Sequence, residues 1–282
     1  GRPEAPALAA ARGAQRAVST VDNTAVYMAT SHLSGVKLMV LKELARVSPY
    51  HIVVGYDVKA KASVPANVEG MLRMSGGDAR EITIVPASMP AMVEKYGDKI
   101  SNYSGVYQDN PAKIAVMDWF ASSNYDYLWH VEDDTWARGF DRLALEVASR
   151  ETDLIIKNAT FLPFWADASS SWRVGDRAKL PTGSFVHCLP ALFRMSKRFA
   201  QSVLREILDS EKTNHHEVWW PHVVQKANLS WEPLPFADNL HFNVAHDSAH
   251  NESPLCMEDL RMNESLWLVH PIKCIHHGLR GE

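Results

Sequence analysis

The chain has 282 residues, 46% of them apolar and 22% charged, with a formal net charge of −4. This is globular composition, long enough for one large α/β domain or two small ones, and a domain of that size buries roughly 70–75% of its unfolded surface without needing staples. The acidic balance argues against a nucleic-acid backbone as the main partner, and no apolar run approaches the roughly 18 residues that would span a bilayer.

Residues 1–21 are Ala-rich with scattered Pro and Arg and read as a flexible stem or linker. "NTAVYMATSH" (23–32) predicts a strand that ends in small polar residues, and "GVKLMVLKELARV" (35–47) carries apolar residues at helical spacing. "YHIVVGYDV" (50–58) and "REITIVPAS" (80–88) predict two more strands. "NPAKIAVMDWFASSN" (110–124) opens on Asn-Pro and continues as a helix. "YDYLWHVEDD" (125–134) is a fourth strand, followed by a helix over 139–150 and a strand over 152–161. Strands alternating with helices predict an α/β fold with a mostly parallel sheet and helices on its faces. A long aromatic, turn-rich stretch from 161 to 184 suits a loop that shapes a pocket. A strand and helix are predicted over 185–210, and a loop, short helix and final strand over 214–235.

The chemistry concentrates at the end of the fourth strand. Glu132, Asp133 and Asp134 follow an aromatic-apolar run with no basic residue among them. Three adjacent carboxylates repel one another and are costly to bury unpaired. In open α/β sheets ligands bind outside the carboxyl ends of the strands, and the triplet sits at such an end. An acidic triplet on a solvated turn is the plain alternative.

The order strand, helix, strand, strand, helix, strand and then an acidic triplet resembles the nucleotide-sugar glycosyltransferases of GT-A fold. In that resemblance Glu132-Asp133-Asp134 corresponds to the DXD motif in its E-D-D form, and the pattern extends over residues 22–278. It implies one GT-A domain over 22–282, with a nucleotide-sugar-binding half (22–136) and an acceptor-binding half (137–282). It further implies a divalent ion, manganese or magnesium, held at Asp134 with Glu132 and bridged to the diphosphate of a donor, a UDP-sugar in the first instance. A hard dication takes carboxylate and phosphate oxygens together, which agrees with this assignment.

The same resemblance distributes further roles. Glu217, in "HHEVWWPH" and 83 residues after Asp134, matches by position the general base of inverting members; as a plain alternative it favours a helix start, where acids are stabilised. His270 in "VHPIK" matches a C-terminal histidine that closes over the metal, with His276 as an alternative ligand and Lys273 near a phosphate oxygen. Asp57, Thr30 and Ser31 match the nucleotide contacts, Asp133 the nucleotide end of the motif, and Lys113 a cation within reach of the diphosphate. Trp165, Trp172, Trp219 and Trp220 fall in the segments assigned to the acceptor, where an indole face can pack against a sugar. The expected partners are therefore a nucleotide-sugar donor and a glycan or glycoprotein acceptor. A sugar nucleotidyltransferase and a non-catalytic sugar- or nucleotide-binding protein are the competing readings. "ATSHLSGVK" is a poor match to the Gly-rich phosphate loop the first requires, and the second would have lost its acids.

Asn-x-Ser/Thr triplets occur at Asn102, Asn158, Asn228, Asn251 and Asn263. They point to a secretory-pathway lumen, Golgi or ER, with any membrane attachment made through an N-terminal anchor preceding Gly1. Three cysteines permit at most one internal disulfide; Cys256–Cys274 is the pairing that would tie down the C-terminal segment.

Overall fold

The computed structural model describes residues 23–33, 35–58, 70, 82–97, 100, 109–158, 188–210, 216–236, 240–242 and 268–270. The stem, Trp165, Trp172, Lys273, His276, Cys256, Cys274 and the triplets at Asn102, Asn251 and Asn263 lie outside the described residues.

In chain order the elements are β1 (Thr24–Thr30), α1 (Gly35–Val47), β2 (His51–Asp57), β3 (Ile82–Ala87), α2 (Met89–Tyr96), α3 (Asp109–Ser122), β4 (Tyr127–Glu132), β5 (Trp136–Ala137), α4 (Phe140–Glu146), β6 (Leu154–Asn158), β7 (Cys188–Ser196), α5 (Lys197–Asp209), α6 (His216–Lys226), β8 (Trp231–Pro233), β9 (Leu240–Phe242) and β10 (Leu268–His270). Seven strands form one sheet in the order β3-β2-β1-β4-β7-β6-β8, and β5, β10 and β9 form a second, small sheet. The main sheet is parallel except at β7, which runs antiparallel to both β4 and β6.

The central strands are apolar on both faces because helices cover both. On β4, Trp129 and Val131 face one layer with Leu41 and Leu44 of α1 and Phe140 of α4. Leu128 faces the other, with Phe120 of α3, Phe199 of α5 and Trp220 of α6. A buried Tyr27 ring crosses β2 at Gly55, where even a Cβ atom would collide with it; it also packs, tilted, against Trp119 at a centroid distance of 5.1 Å.

The sequence-predicted strands and helices are all present, with ends shifted by a few residues. Helix α2 is an addition: Ser88 caps it by accepting a hydrogen bond from the Ala91 N–H at 3.2 Å, and Pro90 fits its first turn.

Candidate functional site

The strand order reverses direction at β1. From β1 the chain moves outward to β2 and β3, then returns to the other side of β1 as β4. The carboxyl ends of β1 and β4 flank this switch point, where an open α/β sheet leaves a crevice for a ligand. Register fixes what stands there. Ala29 pairs with Glu132 and Thr30 pairs with Tyr56, so Thr30 and Ser31, Asp57 and the acidic triplet share one edge of the sheet.

Strand alternation then separates the acids. Successive side chains on β4 point to opposite faces: Leu128 and His130 to the α3–α5–α6 layer, Trp129 and Val131 to the α1 layer. Glu132 follows the first set and Asp133 the second. Accordingly Glu132 pairs with Lys113 of α3, while Asp133 pairs with Lys37 of α1 at 2.5 Å. Lys113 is only 4% exposed and donates a second hydrogen bond to the Pro190 carbonyl at 3.3 Å. A lysine in the first turn of a helix works against the helix dipole, and Asp133 offsets that cost for Lys37. Lys37 was not singled out from the sequence; the signal for it was a basic residue opening the helix after β1.

Beneath the Glu132–Lys113 pair lies His130, buried and stacked on Phe193 at a centroid distance of 5.0 Å. Burial holds its imidazole well below the ordinary histidine range; Lys113 pushes the same way and Glu132 opposes. Neither ring nitrogen has a hydrogen-bond partner among the described residues.

Glu217 opens α6 in its first turn, partly buried. Pro221, four residues on, has no N–H to give the Glu217 carbonyl. The Cys188 thiol at the start of β7 donates to that carbonyl instead, at 3.4 Å. This ties the start of α6 to the edge of β7 next to β4. Burial pushes the Cys188 thiol up, the Glu217 charge adds to the rise and Lys113 opposes it. Glu217 and Lys113 thus act electrostatically on the same buried group, on the α3 side of the site.

The backbone of His270 also comes to this edge. Val269 pairs with Trp136 and Leu268 with Ala137, antiparallel, so one further step along β10 sets His270 towards Thr135, next to Asp134.

Two expectations change. Lys113, expected at the diphosphate, is turned inward to Glu132. Trp219 and Trp220, expected at the acceptor, are core residues: Trp220 packs edge-on against Phe193 at 5.0 Å and Phe199 at 5.6 Å, leaving no open indole face. Trp219, Trp220, Val223 and Val224 form a buried helical stripe. Thr30 is also occupied locally, its hydroxyl donating to the His32 carbonyl at 2.7 Å and capping the end of β1. Ser31 and His32 are exposed beside it, 3.1 Å apart through Oγ and Nδ1.

Among the described residues no three His, Cys, Asp or Glu side chains converge as a complete metal cage. The donor chemistry nonetheless fits a magnesium- or manganese-type ion, which is held by one or two carboxylates and completed by substrate phosphates. Asp134, the third carboxylate of the triplet, stands on the turn after β4.

No family model matches the chain, and no curated protein matches it. Among solved structures it is similar to an active-site mutant of LgtC, with a TM-score of 0.50 and 11% identity over 89% of this chain and 88% of that one. It is also similar to the galactosyltransferase LgtC in complex with donor and acceptor sugar analogues, with a TM-score of 0.48 and 11% identity over 87% and 86% of the two chains. At such identity the likeness speaks for the fold. The seven-stranded sheet with one reversed strand and helices on both faces is the GT-A arrangement.

Proposed function

We propose that this chain is a glycosyltransferase that moves a sugar from a nucleoside-diphosphate sugar, a UDP-sugar, to a hydroxyl of a glycan or glycoprotein. The observation that carries this reading is the gathering of Ser31, Asp57, Glu132, Asp133 and Asp134 at the switch point of the sheet. The printed name of LgtC, a galactosyltransferase with this fold, supports the reaction class.

Asp57 and Ser31 would meet the nucleoside, and Asp134, with His270 from β10, would hold a manganese or magnesium ion. Such an ion, when bound, neutralises charge on the leaving diphosphate. Glu132 is held by Lys113 and shapes the floor of the site. In the transfer itself the acceptor oxygen bonds to the anomeric carbon as the bond from that carbon to the diphosphate oxygen breaks. Glu217 takes the hydroxyl proton, a base role that implies inversion of configuration. The five glycosylation triplets support a luminal setting.

The direct test is a thermal-shift and calorimetric screen of the full chain against nucleoside diphosphates, with manganese and with EDTA. UDP binding that needs manganese supports the reading. Binding of no nucleotide under either condition refutes it.

A further inference from the structure

We infer that a cavity between α1 and β5 is a second ligand site, separate from the donor site, and that it takes a small organic phosphate monoester. Met39, Lys42, Glu43 and Arg46 fall on one stripe of α1 by their helical spacing. The other side of the helix, with Leu41 and Leu44, lies in the core. Such a stripe is ordinarily a convex face open to water. Here β5 and the turn after it close one side. Trp136 is fixed there by its pairing with Val269 and by packing in the core, and Arg138 follows two residues later, half-buried. Together these six residues line a cavity of about 410 Å³, within the roughly 300–1,000 Å³ range of small-molecule sites.

Charge selects the ligand. Arg46 donates two hydrogen bonds to the Glu43 carboxylate, at 2.9 and 2.6 Å, and Asp141 lies near enough to act on it as well, so Arg46 brings no surplus charge. Lys42 and Arg138 have no acidic partner among the described residues. Two unbalanced cations on two walls of one cavity suit a dianion, and a phosphate monoester carries about −1.5 to −2 at neutral pH. Met39 and Trp136 add an apolar surface, which a sugar ring can cover and bare phosphate cannot. The donor site lies elsewhere. Lys37, which meets Asp133, stands at the start of α1, and Lys42 is five residues, about 7.5 Å of helix rise, further on. The cavity is also on the face of the sheet opposite α6 and Glu217.

Glucose 6-phosphate, glucose and inorganic phosphate are each titrated calorimetrically into the full-length protein in EDTA, with melting temperatures recorded. Wild type should bind glucose 6-phosphate, bind inorganic phosphate at least about tenfold more weakly and show no binding of glucose. Arg138→Gln should weaken glucose 6-phosphate binding about tenfold, or about 1.4 kcal/mol. Lys42→Gln, at a more exposed position, should weaken it about threefold, and the double variant about thirtyfold. Lys42→Arg keeps the charge and should stay close to wild type. UDP with manganese should not displace the bound monoester. Unchanged affinity in the folded double variant, displacement by UDP, or no binding of glucose 6-phosphate by wild type overturns the inference. Inorganic phosphate binding as tightly as the monoester would mark an adventitious ion only and overturns it too, as does capture only by phosphoinositide liposomes. A wild-type protein that binds glucose 6-phosphate in this pattern but no UDP leaves the inference standing and refutes the donor-site reading alone.

Discussion

Glu132 and Asp133 are neighbours in sequence yet bond to lysines on opposite faces of the sheet, Lys113 from α3 and Lys37 from α1. The alternation of a strand carried one residue past its end is sufficient cause. The acidic triplet is therefore not a cluster of equivalent ligands. Two of its members are tied to separate layers, and the third follows on the turn.

Removing Lys113 should be felt first in stability. Lys113→Met leaves Glu132 without its buried counter-charge, and the expected loss is about 2–3 kcal/mol. Glu132 retains some access to water, which keeps the cost below that of a fully buried orphan. The double variant Lys113→Met with Glu132→Leu should recover most of the loss, because no charge is then stranded. Urea denaturation of the two single variants and the double variant measures this. A double variant as unstable as the sum of the singles would mean the residues do not act as a pair.

Glu217→Gln separates base from helix start. It preserves shape and hydrogen-bonding reach but accepts no proton. Turnover should fall by about 10²–10⁴-fold, or roughly 3–5 kcal/mol of barrier, with donor affinity nearly unchanged. A residue that only favours the start of α6 would instead lower the melting temperature slightly and leave kcat intact.

His130 is a buried polar ring with no partner for either nitrogen among the described residues. Leaving such groups unsatisfied costs about 1–3 kcal/mol. His130→Leu, close in volume, should therefore keep the fold and raise its stability by about 1 kcal/mol in urea denaturation. A clear loss of stability would show that the ring's packing on Phe193 outweighs its polar cost.

Asn228 is the described glycosylation triplet best placed to carry a glycan. It is exposed and adopts a left-handed backbone, φ 48°, in the turn after α6, a conformation asparagine tolerates well. Expressed in a eukaryotic secretory host, the protein should shrink on endoglycosidase treatment, and Asn228→Gln should remove one step of that shift. Ser230→Ala is a poorer probe, since the Ser230 hydroxyl also bonds to Asp153 at 3.0 Å. Identical mobility before and after treatment would remove the support for a luminal setting.

Much of the frame was legible in the sequence because it rests on local pattern. β1, β2 and β4 are buried on both faces and so read as short continuous apolar runs, and α1 and α3 show their helical period. The end of β4 was legible for the same reason, since charge follows directly on an apolar run. What stayed hidden depends on distant partners. Nothing in "GVKLMV" says that Lys37 meets Asp133, and nothing in "NPAKIA" says that Lys113 turns inward. The reversal of β7 is likewise silent, because strand direction leaves no mark on side-chain alternation. Trp219 and Trp220 could have been read better. With Val223 and Val224 they repeat at helical spacing, which marks a core stripe. Helix α2 was also within reach, announced by Ser88 and Pro90 but short enough to pass for the end of β3.

The most direct measurement is nucleotide release by Asp134→Ala beside wild type. The full-length proteins are incubated with a panel of nucleotide sugars, an acceptor glycan mixture and manganese in EDTA-stripped buffer, and free nucleoside diphosphate is followed over time. Wild type should release UDP from one UDP-sugar, lose that activity in EDTA and regain it when manganese is restored. Asp134→Ala should melt at the wild-type temperature and release none. Full release by Asp134→Ala, or no release from any donor by a folded wild-type protein, would contradict the assignment of this sheet edge as a cation-assisted donor site.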